Sequence, residues 1–171
     1  HLIPHFRSGG LSKAVEIKSL LKSTNNMVDP YVKLKYTYIK EVNGWYKLAD
    51  EISDDIWRVV SQWDSFSKNT LGEQIVRSAD SMGANIAEGY GRYFFKDNIL
   101  FLYYSRGSAY ETNFWLNKAN KRNLIEKTKF EKLNQEIEKF LLEINKVIKT
   151  MKNQANKFSL VPWYKYKPKS K

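Results

Sequence analysis

Residues 77–92 read RSADSMGANIAEGYGR, and the fold turns on whether these glycines form a phosphate loop or belong to a helix. A phosphate loop needs an apolar strand before the glycines and a Lys-Ser or Lys-Thr pair after them; neither is present. On a helix, Leu71, Ile75, Ala79, Met82, Ile86 and Tyr90 recur every three or four residues and form one apolar stripe. The spacing predicts a helix from about residue 70 to residue 92, with Thr70 or Asn69 as N-cap and Glu73 completing a capping box after Thr70. Gly89 and Gly91 then fall at its end.

The two flanks of this stripe differ. Ala79, Gly83, Ala87 and Gly91 place a small residue at every fourth position. Interior glycine costs about 1 kcal/mol relative to alanine, so the ridge predicts close approach by another backbone. The other flank carries Arg77, Ser81, Asn85, Glu88 and Arg92. Two interpretations stand: the solvated side of an amphipathic helix, or a polar interface between subunits or with a ligand.

Working outward, Trp45, Leu48, Ile52, Ile56, Val59 and Trp63 mark a preceding helix that starts after Gly44. An aromatic helix is expected from Lys96 or Asp97 to about Arg122, despite Gly107. In the last helix Phe130, Leu133, Ile137, Phe140, Ile144, Val147 and Met151 form an unbroken heptad seam. YVKLKYTYIK at 31–40 alternates as a strand does, but with no sheet to join it is expected as an irregular or helical lead-in. The chain therefore reads as all-α, an up-down antiparallel four-helix bundle with an N-terminal extension and a basic C-terminal tail.

The bundle is expected over 45–156, after a lead-in at 27–44, with the tail at 157–171. Residues 1–26 open on His1 rather than Met and carry Pro4 and the Gly9-Gly10 pair. They read as a native extension or as a segment added to the native chain, and Met27 offers a natural start.

The chain has 171 residues, enough for one packed domain, and no cysteine, which removes disulfides and thiolate metal ligands. Its longest apolar run, ILFLYY at 99–104, falls far short of the roughly 20 residues a membrane-spanning helix needs. No signal-peptide pattern opens the chain, so a soluble, cytoplasmic protein without membrane association is expected. The net charge of +11 points to an anionic partner such as RNA, DNA or a membrane surface; lysine acting only as a solubilising charge is the plainer alternative.

Catalysis is not expected. The two histidines, His1 and His5, flank Pro4 in the extension, so no metal site or cofactor is predicted. The bundle has no Cys or His to act as nucleophile or base at neutral pH, and no Ser lies in a strand-turn-helix context. Glu88 and Glu111 are candidate buried carboxylates on adjacent helices. Pairing with arginine or capping a backbone group is the expectation preferred over acid-base chemistry or cation binding.

RSADSMGANIAEGYGR followed by an aromatic helix containing RGSAYET resembles the signature of the four-helix-bundle proteins encoded in intervening sequences of 23S rRNA genes. The positions that carry it are Arg77, Asn85, Ile86, Ala87, Glu88, Gly89, Tyr90, Gly91 and Arg92, with Ser108 and Glu111 in the second element. The resemblance spans about residues 42–152. It implies an up-down bundle that assembles as a homo-oligomer, commonly a ring-like pentamer. It also implies kinship with the accessory protein of diversity-generating retroelements, which works with a reverse transcriptase and RNA through a basic surface. Met82 and Gly83 stand where family members often carry proline, so a kink there is not expected.

The positive charge is concentrated at the C-terminus, where eight lysines and no acid follow from Ile144 onward. Lys132, Lys139, Lys146, Lys149 and Lys152 lie off the heptad seam and predict a basic outer face. Beyond them Trp163, Tyr164 and Tyr166 alternate with Lys165, Lys167 and Lys169. Ammonium groups can meet phosphates while aromatic rings stack bases for about 1–3 kcal/mol each. Alternatively, Trp163 docks on the bundle and the lysines stay hydrated. The candidate nucleic-acid residues are Lys146, Lys149, Lys152, Trp163, Lys165, Tyr166, Lys167 and Lys169. The leading expectation is a non-catalytic oligomer that binds RNA or an RNA-protein complex; the alternative is a protein-interaction scaffold whose assembly is its function.

Overall fold

The computed structural model describes residues 30–92 and 95–159, and these are helical apart from short links. Among the described residues there are four long helices and no strand: α1 (Pro30–Val60), α2 (Glu73–Gly91), α3 (Phe95–Lys121) and α4 (Lys127–Ser159). Each packs on its neighbours in the cyclic order α1, α2, α3, α4, with little contact across the diagonals. Partner numbers fall on one helix as they rise on the next. Ala49 lies near Gly83 while Val60 lies near Gly72; Asn85 meets Ser108 while Ser78 meets Thr112; Asn113 meets Asn134 while Tyr103 meets Lys152. This is the expected antiparallel up-down bundle.

Helix α1 begins at Pro30, well before Trp45, so the alternating segment 31–40 is helical and Gly44 sits inside the helix. Proline suits a first helical position because its missing N–H has no partner to lose there.

The link between α1 and α2 also differs from expectation. The N-cap is Asp64 rather than Asn69 or Thr70: its Oδ1 accepts from the Ser67 N–H at 3.0 Å and its Oδ2 from the Ser67 hydroxyl at 2.6 Å. These bonds, the hydroxyl's first, lower the Asp64 pKa. Thr70 already lies within the helical run, its hydroxyl donating to the Phe66 carbonyl. Residues Lys68–Gly72 then form a π-helical turn that leads into α2. Gly72 is required here, because a Cβ at this position would lie 2.8 Å from Val60 Cγ1 and 3.3 Å from the Ser67 carbonyl oxygen.

The stop after α3 is built from Asn123. Its φ of 56° is the left-handed conformation, and the Leu124 N–H returns to the Ala119 carbonyl while the Asn123 N–H returns to that of Asn120. Those two bonds define a Schellman ending, with asparagine in the place usually held by glycine.

The core combines the expected stripes. Ile52 and Ile56 of α1, Ile75, Met82 and Ile86 of α2, and Leu133, Ile137, Phe140 and Ile144 of α4 are all buried. Helix α3 contributes a seam that the aromatic pattern concealed: Asn98, Leu102, Ser105, Ala109, Thr112, Leu116 and Ala119 are buried at alternating three- and four-residue steps. Small and polar residues on this seam let α2 approach, and the aromatics lie to its sides.

Candidate functional site

The α2 polar flank faces the boundary with α3. Asn85 Nδ2 donates to the Ser81 carbonyl at 2.7 Å and reaches Ser108 Oγ at 3.5 Å. Arg77 lies 4.0 Å from Glu111, which also accepts from Trp115 Nε1 at 3.3 Å. Glu88 pairs with Arg92, whose guanidinium lies over the Phe101 ring. The signature residues Arg77, Asn85, Glu88, Arg92, Ser108 and Glu111 are thus brought together along one boundary, where several bridge the two helices. Glu88 and Glu111 are exposed rather than buried. Each pairs with an arginine, Glu88 with Arg92 one turn along α2 and Glu111 with Arg77 across the boundary.

Gly89 is buried in the last turn of α2, while Gly91 is exposed. Both are helical with φ below zero. Helix α2 ends through the Arg92 N–H returning to the Gly89 carbonyl, with Arg92 extended, rather than through a left-handed glycine. The small-residue ridge meets α1 only in its first half. A Cβ on Gly83 would lie 3.9 Å from both Ala49 and Tyr46, whereas at Gly91 nothing lies within 4 Å and Ala87 is exposed.

The charge on α4 divides into two regions. Near its start, Lys129 and Lys132 reach across to Asp55 of α1 at 2.8 and 3.0 Å, and Lys132 also pairs with Glu136. Lys132 is therefore not part of a free basic face: its position beside the heptad seam aims it at α1, and its pKa is raised by Asp55 first and Glu136 next. Asp55 is buried, also accepts from Arg58 at 2.8 Å, and is held at a pKa of about 2, chiefly by the Lys129 hydrogen bond against the opposing effect of burial. The sequence periodicity carried no signal for this cluster, since Asp55 stands next to Ile56 on the stripe and two of its three partners, Lys129 and Lys132, come from α4.

Toward the end of α4, Lys146 pairs with Glu143 at 2.7 Å. Lys149 and Lys152 are exposed, and among the described residues neither lies in an ion pair. Lys152 Nζ lies 3.3 Å from the Tyr103 hydroxyl. Arg106 stacks on the same ring, its Cζ 4.8 Å from the centroid, and donates to Asn145 Oδ1 at 2.9 Å. Tyr103 and Arg106 were not among the candidates; a basic residue three positions after an aromatic in an aromatic-rich helix gives no distinctive signal. Trp163, Lys165, Tyr166, Lys167 and Lys169 lie outside the described residues, as does the 1–26 extension.

A cavity of about 690 Å³ lies between α1 and α2, lined by Trp57, Val60, Val76 and Ala84 with Lys68, Arg77 and Asp80 among its polar residues. Among the described residues no cluster of three or more His, Asp or Glu side chains could hold a metal ion. No described helix is long and apolar enough to cross a membrane.

A solved structure of similar fold, a protein of unknown function from the S23 ribosomal protein family of Bacteroides thetaiotaomicron VPI-5482, superposes with a TM-score of 0.57 at 24% identity, covering 64% of this chain and 98% of that one. No match is found among the curated proteins. The model of one family matches residues 41–160, which take in α1 from residue 41 onward, the whole of α2, α3 and α4 to its described end, and the whole α2–α3 boundary, and the chain belongs to that family, the 23S rRNA-intervening sequence proteins.

Proposed function

We propose that this chain is a non-catalytic, cytoplasmic homo-oligomer, a pentamer by its resemblance, that binds RNA through the basic surface at the end of α4 and the tail that follows. The observation that carries this function is the pair Lys149 and Lys152, exposed cations without a carboxylate partner among the described residues. Lys47, Arg58, Lys127 and Lys132 are matched by Asp or Glu, while Lys68, Lys118, Lys121, Arg122 and Lys139 lie, like Lys149 and Lys152, in no ion pair among the described residues. The pair is set apart by its place toward the end of the helix that leads into the basic tail. A net charge of +11 and the aromatic, lysine-rich tail supply the same chemistry. Repetition around a ring would turn weak phosphate contacts into avidity, and a protein partner such as a reverse transcriptase would meet the same composite surface.

Titrating the nucleic-acid-free protein into a labelled RNA single strand and a stem-loop at several salt concentrations tests this function. Replacing Lys146, Lys149, Lys152, Lys165, Lys167 and Lys169 with Gln is expected to weaken binding sharply and leave the oligomer mass unchanged. Unaltered affinity would sink the proposal.

A second function, a scaffold that acts through assembly alone, is favoured by the outer face of α3, where Leu100, Tyr104, Tyr110 and Phe114 are exposed. Large exposed apolar patches mark interaction surfaces. Because Asn85 is engaged within the chain, Tyr104→Ser with Phe114→Ser is the cleaner probe of this face. An oligomer mass unaffected by that pair, read by light scattering, would remove the α3 face from the assembly.

A further inference from the structure

We propose that Tyr103 and Arg106 of α3, with Lys149 and Lys152 of α4, form a phosphate-binding site for single-stranded RNA. The site rests on the RNA-binding function proposed above and deepens it, because the α4 lysines gain two partners from a second helix.

Arg106 is held on two sides. Its guanidinium lies over the Tyr103 ring, and one N–H is committed to Asn145. A guanidinium carries five N–H donors in a fixed plane, so the Asn145 bond leaves most of the fork open. No carboxylate lies within 4.0 Å of Arg106, Lys149 or Lys152 among the described residues. Arg58, Arg77 and Arg92 have such a partner; the exposed Arg122 has none among the described residues but lies at a helix end rather than between two helices. The half-buried Arg106 is therefore a cation without a counter-charge among the described residues.

The arrangement suits a phosphodiester. A planar fork binds two phosphate oxygens at once, and a side chain already stacked on an aromatic ring loses less freedom on binding. Lys152 lies at the rim of the same ring, 3.3 Å from the Tyr103 hydroxyl and 5.9 Å from the ring centroid. Asn145, Lys149 and Lys152 follow at steps of four and three and so share one side of α4. Arg106 and Lys152 thus converge on one aromatic platform between two helices, with Lys149 on the same side of α4. Aromatic rings and guanidinium planes stack unpaired bases, which favours a single strand over a duplex, whose bases are closed.

Fluorescence anisotropy with a labelled oligouridylate over a salt series tests the site in the full chain. Arg106→Gln is expected to weaken binding about tenfold and to lower the log-log salt slope by about 0.7, the loss of one phosphate contact on a single strand. An arginine that only holds α3 to α4 would change the melting temperature and leave the slope alone. Lys149→Gln, at an exposed position, guards against loss of folding and is expected to lower the slope likewise. Lys47→Gln on α1, where Lys47 pairs with Glu51, is the control and is expected to leave the slope intact. If the wild type binds and both Arg106→Gln and Lys149→Gln keep its affinity and slope, this site is overturned while RNA binding elsewhere stands. If the wild type fails to bind at low salt, the proposed function falls and this site with it.

Discussion

Lys129 Nζ lies 2.8 Å from Asp55 Oδ2, tying the start of α4 to the last turns of α1. Asp55 is buried and shared with Lys132 and Arg58, and its pKa falls from 3.8 to about 2. A carboxylate with a lowered folded-state pKa contributes stability above its unfolded pKa and loses it as pH falls through the folded value. Unfolding free energy is therefore expected to drop by up to about 2 kcal/mol from this group between pH 4 and pH 2. Asp55→Asn should be less stable at neutral pH and lose less over that acid window. Urea unfolding followed by circular dichroism at several pH values checks this, and equal acid losses in both proteins would refute it.

Gly72 makes a second, steric prediction. An alanine methyl would meet Val60 Cγ1 at 2.8 Å and the Ser67 carbonyl at 3.3 Å, and the backbone oxygen cannot rotate away. Gly72→Ala is expected to destabilise the fold by about 1–3 kcal/mol, although alanine is the better helix former. A melting temperature equal to or above that of the wild type would contradict the close packing assigned to this turn.

The buried hydroxyls of α3 give a third. Ser105 Oγ donates to the Met82 carbonyl at 2.7 Å, and Thr112 Oγ1 approaches Ser78 Oγ at 3.1 Å. These groups join α3 to α2 without a large side chain between them. Ser105→Ala removes one such bond from a fully buried site and is expected to cost about 1 kcal/mol, measurable as a shift of the urea midpoint at constant slope.

The bundle was legible because three of its helices announce themselves by period. The α4 seam from Leu133 to Met151 is buried as its spacing predicts, and so is the α2 stripe from Leu71 to Ile86. Helix α3 was legible as a helix but not by face, because Ser105, Ala109 and Thr112 are the buried side while Tyr104, Tyr110 and Phe114 are exposed. Hydrophobicity points the wrong way when close helix approach, rather than side-chain volume, decides what is buried. Arg77, Asn85, Glu88 and Arg92 were legible from the helical period as one polar flank and Ser108 was added by resemblance, while the structure shows what the spacing could not: Asn85 with Ser108 and Arg77 with Glu111 join two helices within one chain. Asp55 with Lys129 and Arg106 with Asn145 stayed hidden, since each joins residues far apart in sequence through side chains that no local period marks.

Gly107 makes the last prediction. It lies within α3 between the exposed Tyr104 and Tyr110, and no atom would lie within 4 Å of a Cβ placed on it. Nothing among the described residues needs the glycine, yet glycine inside a helix costs about 1 kcal/mol relative to alanine. Gly107→Ala is therefore expected to stabilise the isolated chain by up to that amount. If a second copy approaches the α3 backbone here, as an assembly using the aromatic face would require, the same methyl should lower the oligomer mass measured by light scattering. Raised stability with reduced mass would place Gly107 at a subunit contact. Raised stability with unchanged mass would show that no second copy packs closely on the α3 backbone at Gly107, and the aromatic residues around it would then have to be assigned to a different partner.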